Sequence, residues 1–199
     1  MRPARNIVAT ATLLLISRAL FCCATPQKPT KERPQWAMHG HGLFVGPGRV
    51  LYGVGIYPRS EKGIAFSLSG ADNRARLALV VFAEDFGSIM LSTRKEDARK
   101  DVMKGPGVEH DGQMYVDMKR ACRSALLHSG TRMVGHWVDP NDGTFYALAR
   151  AEFDMFLEEL AKNREYSRRD HEYFAKNADR VFSKVAARLV KGYVEGDWP

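Results

Sequence analysis

The sequence predicts an α+β fold: a mixed or antiparallel sheet of about four strands, covered by helices and followed by a basic helix at the carboxy-terminal end. Three observations lead there. Short β-prone runs, the best being VLYGVGIY, are interspersed with longer segments whose apolar residues recur at steps of three and four. One connection, within 131–150, reads as a hairpin, which joins antiparallel strands, whereas others are long enough to be helical crossovers. Hydrophobic residues make up 45% of the 199, enough for one buried core and too many for a disordered chain.

The chain opens with MRPARNIVATATLLLISRALFCCAT, read as an export signal over residues 1–22. Arg2 and Arg5 make its start positive, and the apolar run 7–16 is too short to span a bilayer as a helix. Leu20-Phe21-Cys22-Cys23 then fits a pattern in which the Cys23 thiol is acylated and becomes the new first residue, so that 23–35 is a lipid anchor and tether. Two alternatives stay open: acylation of Cys22, and ordinary cleavage after Ala24 with release of a soluble protein. The tether, ATPQKPTKERPQ, is rich in Pro and Lys and has no apolar period. Cys122 alone lies in the folded body, which excludes an internal disulfide and a Cys-based zinc site there.

An α+β domain is expected over 36–163 and a helical extension over 164–199. From Trp36 the chain becomes glycine-rich, with its best strand at Val50–Tyr57, stopped by Pro58. Residues 69–86 carry a helical period through Ala71, Ala75, Ala78, Leu79, Phe82 and Phe86, with Ser69 as N-cap and Gly87 as stop. The run 88–93 (SIMLST) suits a short strand, and the charged segment 94–112, broken by Gly105-Pro106-Gly107, an exposed loop. A second helix is expected over 114–128, ended by Gly130. In the hairpin, Met133, Gly135, Trp137, Phe145, Ala147 and Ala149 share one face by period-two alternation, with Tyr146, Leu148 and Arg150 on the other. Arg150 there needs water or an acidic partner. Phe153, Phe156, Leu157 and Leu160 mark a third helix, and 172–193 the last, basic one.

Each candidate site in the chain also has a plainer structural reading. Counting an EF-hand loop from Asp139 places Arg150 where the bidentate carboxylate belongs, whereas Asp-Pro-Asn-Asp-Gly satisfies a hairpin turn at each position, with Gly143 accepting φ > 0. His39 and His41 could chelate a metal, but His110, His128, His136 and His171 are scattered and exposed loop histidines are the favoured reading. Gly53-x-Gly55 lacks the helix start that a pyrophosphate needs and marks close backbone packing instead. Ser67 and Ser69 carry no Gly-x-Ser-x-Gly context. Asp72, Arg74 and Arg76 read as a solvated helix face. Lys176, Arg180, Lys184, Arg188 and Lys191 form a basic stripe suited to anionic lipid or an envelope polymer, although interspersed Glu172 and Asp179 favour an ordinary solvated face. The formal charge of +7 falls to +4 once the three arginines of the signal are removed, which argues against nucleic-acid binding. No catalytic, cofactor-binding or metal-ligating constellation emerges from the residues.

Trp36 after the tether, LYGVGIY, ADNRARLAL and HWVDPNDGTFYALARAEFDMF together resemble the Lpp-twenty family of bacterial envelope lipoproteins, from about Trp36 to Leu160. The resemblance implies an α+β envelope domain, lipid-anchored and related to domains of flagellar basal-body accessory proteins. It brings no catalytic motif and no cofactor; the acylated cysteine corresponds to Cys23. The expected function is that of a non-enzymatic outer-membrane lipoprotein facing the periplasm, an assembly or interaction module with an envelope protein partner and a membrane anchor. Ala24, in place of a retention-type Asp, is compatible with outer-membrane sorting. The alternative is a soluble secreted periplasmic protein binding a small ligand or glycan in a groove beside the sheet. A metal-dependent hydrolase using His39 and His41 is a third, weaker expectation.

Overall fold

The computed structural model describes residues 32–102, 112–194 and 198–199. The expected export signal, Cys23, the start of the expected tether and the Gly105-Pro106-Gly107 segment lie outside the described residues.

The elements in order are α1 (Gln35–Met38), β1 (Gly42–Gly46), a 3-10 turn (Pro47–Arg49), β2 (Val50–Tyr57), α2 (Ile64–Val102), α3 (Gly112–His128), β3 (Arg132–Val138), β4 (Phe145–Glu152), α4 (Phe153–Ala161), α5 (Arg168–Leu189) and β5 (Val190–Tyr193). Among the described residues the strands form one mixed sheet ordered β3-β4-β2-β1-β5, in which only the β1–β5 pair is parallel. The α+β class is as expected. The sheet has five strands rather than about four, and two of them fell where the sequence suggested no strand.

The long helix explains most of the differences. Residues 88–93 are not a strand, and Gly87 does not stop a helix; both lie inside α2, a single helix of 39 residues. Its buried stripe runs Ala71, Ala75, Leu79, Phe82, Phe86 and on to Met90 and Leu91 without a break in helical period. Gly87 is there for contact: a Cβ would stand 3.0 Å from Cys122 Sγ and 3.1 Å from Met118 Cγ, so its absence lets α3 approach. Glycine inside a helix costs about 1 kcal/mol relative to alanine, and close α2–α3 packing offsets it. The described part of the charged segment 94–112 is likewise helical, and pairs with α5 as detailed below. Ser69 does not cap this helix, which begins earlier at Ile64; Ser67, in its first turns, accepts from Ser60 N at 2.9 Å instead.

Over 164–199 the chain supplies both a helix and a strand to the same core. Ser167 opens α5 with a capping box, its hydroxyl accepting from Asp170 N while the Asp170 carboxylate accepts from Ser167 N. The helix expected over 172–193 thus starts earlier and ends at Leu189. Val190 turns extended, and Val190–Tyr193 pairs with the outer edge of β1, satisfying main-chain groups that would otherwise stay open. Phe174, Val181, Phe182 and Val185 of α5 join Phe82, Phe86, Phe153 and Phe156 in the main core. Arg49, at φ 62 in the turn before β2, ties this layer together by pairing with Asp154 of α4 and Asp179 of α5.

The hairpin turn is built as its residues suggest. Asp139 N donates to Thr144 O and Gly143 N to Asp139 O, both at 2.9 Å, and Gly143 has φ 74. One face assignment is corrected. An irregularity between Met133 and Gly135 makes Val134 a bulge, so Gly135 pairs with Leu148 and Trp137 with Tyr146. Gly135 and Trp137 therefore face away from α2, α3, α4 and α5. They join Phe44, Tyr52 and Val54 on the far side of the sheet, which Trp36 and Trp198 cover. Arg150 has its acidic partner in Glu152, at 3.4 Å.

Candidate functional groove

The contact between α2 and β2 sets the site. A Cβ on Gly53 would lie 2.1 Å from the Ala75 carbonyl oxygen, and one on Gly55 would lie 2.1 Å from that of Ala71. Helix and strand therefore meet backbone to backbone, which the alanines of α2 and the glycines of β2 make possible together. Close packing, the plain reading of Gly53-x-Gly55, is what the structure has.

This seating fixes Arg74 at the edge of β2. β1 begins at Gly42 opposite Val54, so β2 continues past it through Gly55, Ile56 and Tyr57. There Arg74 Nη1 donates to Ile56 O at 2.5 Å, and its guanidinium lies 4.7 Å from the centre of the Tyr57 ring. Beside it opens a groove of about 680 Å³, within the range of small-molecule sites. It is lined by Leu77, Ala78 and Val81 of α2, by Leu43, Val54 and Ile56 of β1 and β2, and by Leu189 where α5 stops. Its polar side chains are His41, Arg74 and Thr144. Leu77 is 57% and Val81 41% exposed, so this wall is apolar surface facing solvent.

Charges of both signs lie around the groove. Lys191 lies against Gly42, and Arg59 follows Pro58 and packs by Gly143. Among the described residues none of Arg59, Arg74 and Lys191 has a carboxylate within ion-pair distance. Asp139 and Asp142, in the nearby turn, are engaged by it: Asn141 N donates to Asp139 Oδ1 at 2.9 Å and Thr144 N to Asp142 Oδ1 at 2.8 Å. Those turn contacts, the Thr144 amide first, hold the Asp142 carboxyl below its ordinary range.

The other sequence candidates disperse. His39 meets Phe44 edge-on and Trp198 at a tilt, with ring centres 5.7 and 5.4 Å away, while His41 borders the groove; both histidines are exposed, as expected. His136 Nε2 meets Asp72 Oδ1 at 2.7 Å, joining β3 to α2, so Asp72 and Arg74 are not merely a solvated face. His128 and His171 bond to the carbonyls of Ser124 and Asn163, and His110 lies outside the described residues. Among the described residues no group of three His, Cys, Asp or Glu could hold a metal ion.

The basic stripe of α5 is a seam between helices. Arg180 pairs with Asp97, Lys184 with Glu96 and Arg188 with Asp85, all three acids belonging to α2. The hydroxyl of Tyr173, donating at 2.8 Å, and then Arg180 hold the Asp97 carboxyl below the usual carboxylate range. Lys191 belongs to β5 and lies against Gly42. The groove itself escaped sequence reading because its wall combines α2 residues that look like ordinary helix surface with a strand edge left open by a neighbour not recognised as a strand. The exposed apolar pair Leu77 and Val81 beside Arg74 was its available signal.

No protein-family model matches this chain, and no curated protein sequence matches it.

Proposed function

We propose that this chain is an exported, non-enzymatic envelope lipoprotein of the Lpp-twenty type, anchored through Cys23 at the outer membrane and acting as an assembly or interaction module. The observation that supports this reading most is how its resembling segments meet. LYGVGIY is β2, ADNRARLAL seats on it through Ala71 and Ala75, and the hairpin strand β4 pairs with β2 along its whole length, from Val50↔Glu152 to Tyr57↔Phe145. The three segments are one packed unit, as a family-defining scaffold requires. The groove beside that unit gives the module a surface at which to bind.

The groove equally favours a second reading, a soluble periplasmic protein that takes a small ligand or glycan there. The mature amino-terminus separates the two. For the lipoprotein, intact mass of the membrane fraction should show a chain beginning at Cys23 with added acyl mass, and Cys23→Ser should abolish labelling by an acyl probe and release the protein from membranes. A mature chain starting at Thr25, or labelling that survives Cys23→Ser, would reject the Cys23 anchor.

A further inference from the structure

We propose that the groove binds one acyl chain of an anionic membrane lipid, the chain lying along Leu77, Ala78, Val81 and Leu189 and the phosphate meeting Arg74, with Lys191 and Arg59 at the rim. The orientation part rests on the Cys23 anchor; the binding part rests on the groove alone.

Three observations select this occupant. The lining sets an apolar wall beside one cation, Arg74, which has no carboxylate partner among the described residues, and Lys191 lies against Gly42 next to it; an amphiphile with a negative head matches that division, and a neutral sugar does not. Strand addition by a peptide is disfavoured, because Arg74 already caps Ile56 O on the open edge of β2. The tether also enters at this end of the sheet. Arg33 Nη2 donates to Tyr146 Oη at 3.0 Å, and Tyr146 is the cross-strand neighbour of Ile56. Glu32 lies nine positions after Cys23, a reach of about 30 Å when fully extended. A lipid-anchored Cys23 therefore holds the hairpin end, with the groove mouth, within about that distance of the headgroups. Two weak attachments, an acyl anchor and a basic lipid-binding surface, reinforce each other when both act on one bilayer.

The test uses the full-length mature chain carrying Cys23→Ser, so that no attached lipid masks the groove, and vesicles of phosphatidylethanolamine with or without a quarter of phosphatidylglycerol. Co-sedimentation should require phosphatidylglycerol and weaken with added salt. It should fall about fivefold in Arg74→Gln, fall by at least as much in the double variant Leu77→Gln/Val81→Gln, and stay unchanged in Arg168→Gln, a cation remote from the groove. Native mass spectrometry should retain one phosphatidylglycerol per chain, lost in the same variants. Thermal unfolding of each variant excludes misfolding, since the substituted residues are exposed. Equal binding to both vesicles, binding insensitive to the groove variants, retention of a peptide instead of lipid, or binding of soluble dodecanoate without vesicle binding would each overturn the proposal. Acyl labelling of the wild-type chain decides the anchor separately, so the two can fail independently.

Discussion

Replacing Gly55 by alanine tests the contact on which both fold and groove depend. A Cβ at residue 55 would sit 2.1 Å from the Ala71 carbonyl oxygen and 2.4 Å from Ala75 N. Both are backbone atoms, so no side chain can swing aside. Ordinary contact begins at 3.4 Å, so α2 must withdraw by about 1.3 Å, or β2 must bend by as much. A gap of about 0.5–1 Å already forfeits a quarter to a half of each dispersion contact, and Ala71, Ala75 and Leu79, all fully buried, face it. The expected loss is at the upper end of the overpacking range, about 3 kcal/mol, or a fall of about 6–12 °C in Tm for a domain of this size. Urea and thermal unfolding followed by circular dichroism would measure it, with Gly135→Ala for comparison. There the new Cβ meets Trp36 Cζ2 at 3.2 Å, a side-chain atom of the short α1. That ring can give by a few tenths of an ångström, and the cost should stay under about 1 kcal/mol. Equal losses at the two sites, or a Gly55→Ala loss below about 1 kcal/mol, would refute a backbone-to-backbone seat for α2.

Two further outcomes follow from groups in the helix layer. Burial pushes the Cys122 thiol far above its ordinary value, so the native protein should resist a disulfide reagent at about pH 8 and label fully only in denaturant; rapid native labelling would place Cys122 at the surface. The Tyr173 hydroxyl and Arg180 lower the folded pKa of Asp97 below its unfolded value, so the stabilisation it brings is complete above about pH 3.9 and is lost as pH falls through the lower, folded value. Asp97→Asn should flatten the acid limb of a plot of Tm against pH and lower Tm at neutral pH, and an acid limb identical to the wild type would remove Asp97 as a contributor.

What was legible in the sequence was what local chemistry decides. The hairpin turn follows from Asp139, Asp142 and Gly143, each with its own backbone reason, and β2 follows from a β-branched and aromatic run ended by Pro58. What was not legible depended on partners distant in sequence. Gly87 looks like a stop until Met118 and Cys122 are set against it. SIMLST looks like a strand until α3 and α5 supply surfaces for a longer helix to cover. Residues 190–193 continue a helical pattern, yet the open edge of β1 draws them into the sheet. The bulge at Val134 shifts Trp137 to the far face although the alternation of its neighbours predicts otherwise. For the groove, Arg74 reads as part of a solvated helix face, but the strand edge that it borders beside Leu77 and Val81 appears only once β1 is known to begin at Gly42.

The segments that carry the family resemblance are mostly engaged in packing: Gly53 and Gly55 admit α2, and Trp137 lies buried against Tyr146 with ring centres 5.1 Å apart. Arg74 differs, because it is part of the same pattern yet stays at the surface. Its position is a consequence of the packing beneath it. Ala75, the next residue, sits on Gly53, and that fixes the rotation and height of α2 at which Arg74 reaches Ile56 O and the face of Tyr57. A guanidinium held by a hydrogen bond and a ring has lost most of its rotamer freedom before any ligand arrives, and it keeps further N–H donors in a fixed plane. An anion in the groove would thus meet a cation already ordered, which is the condition under which a modest charge contact adds to affinity. The glycines that look purely architectural therefore also shape the groove: they set how close α2 comes, and with it where Arg74 lies.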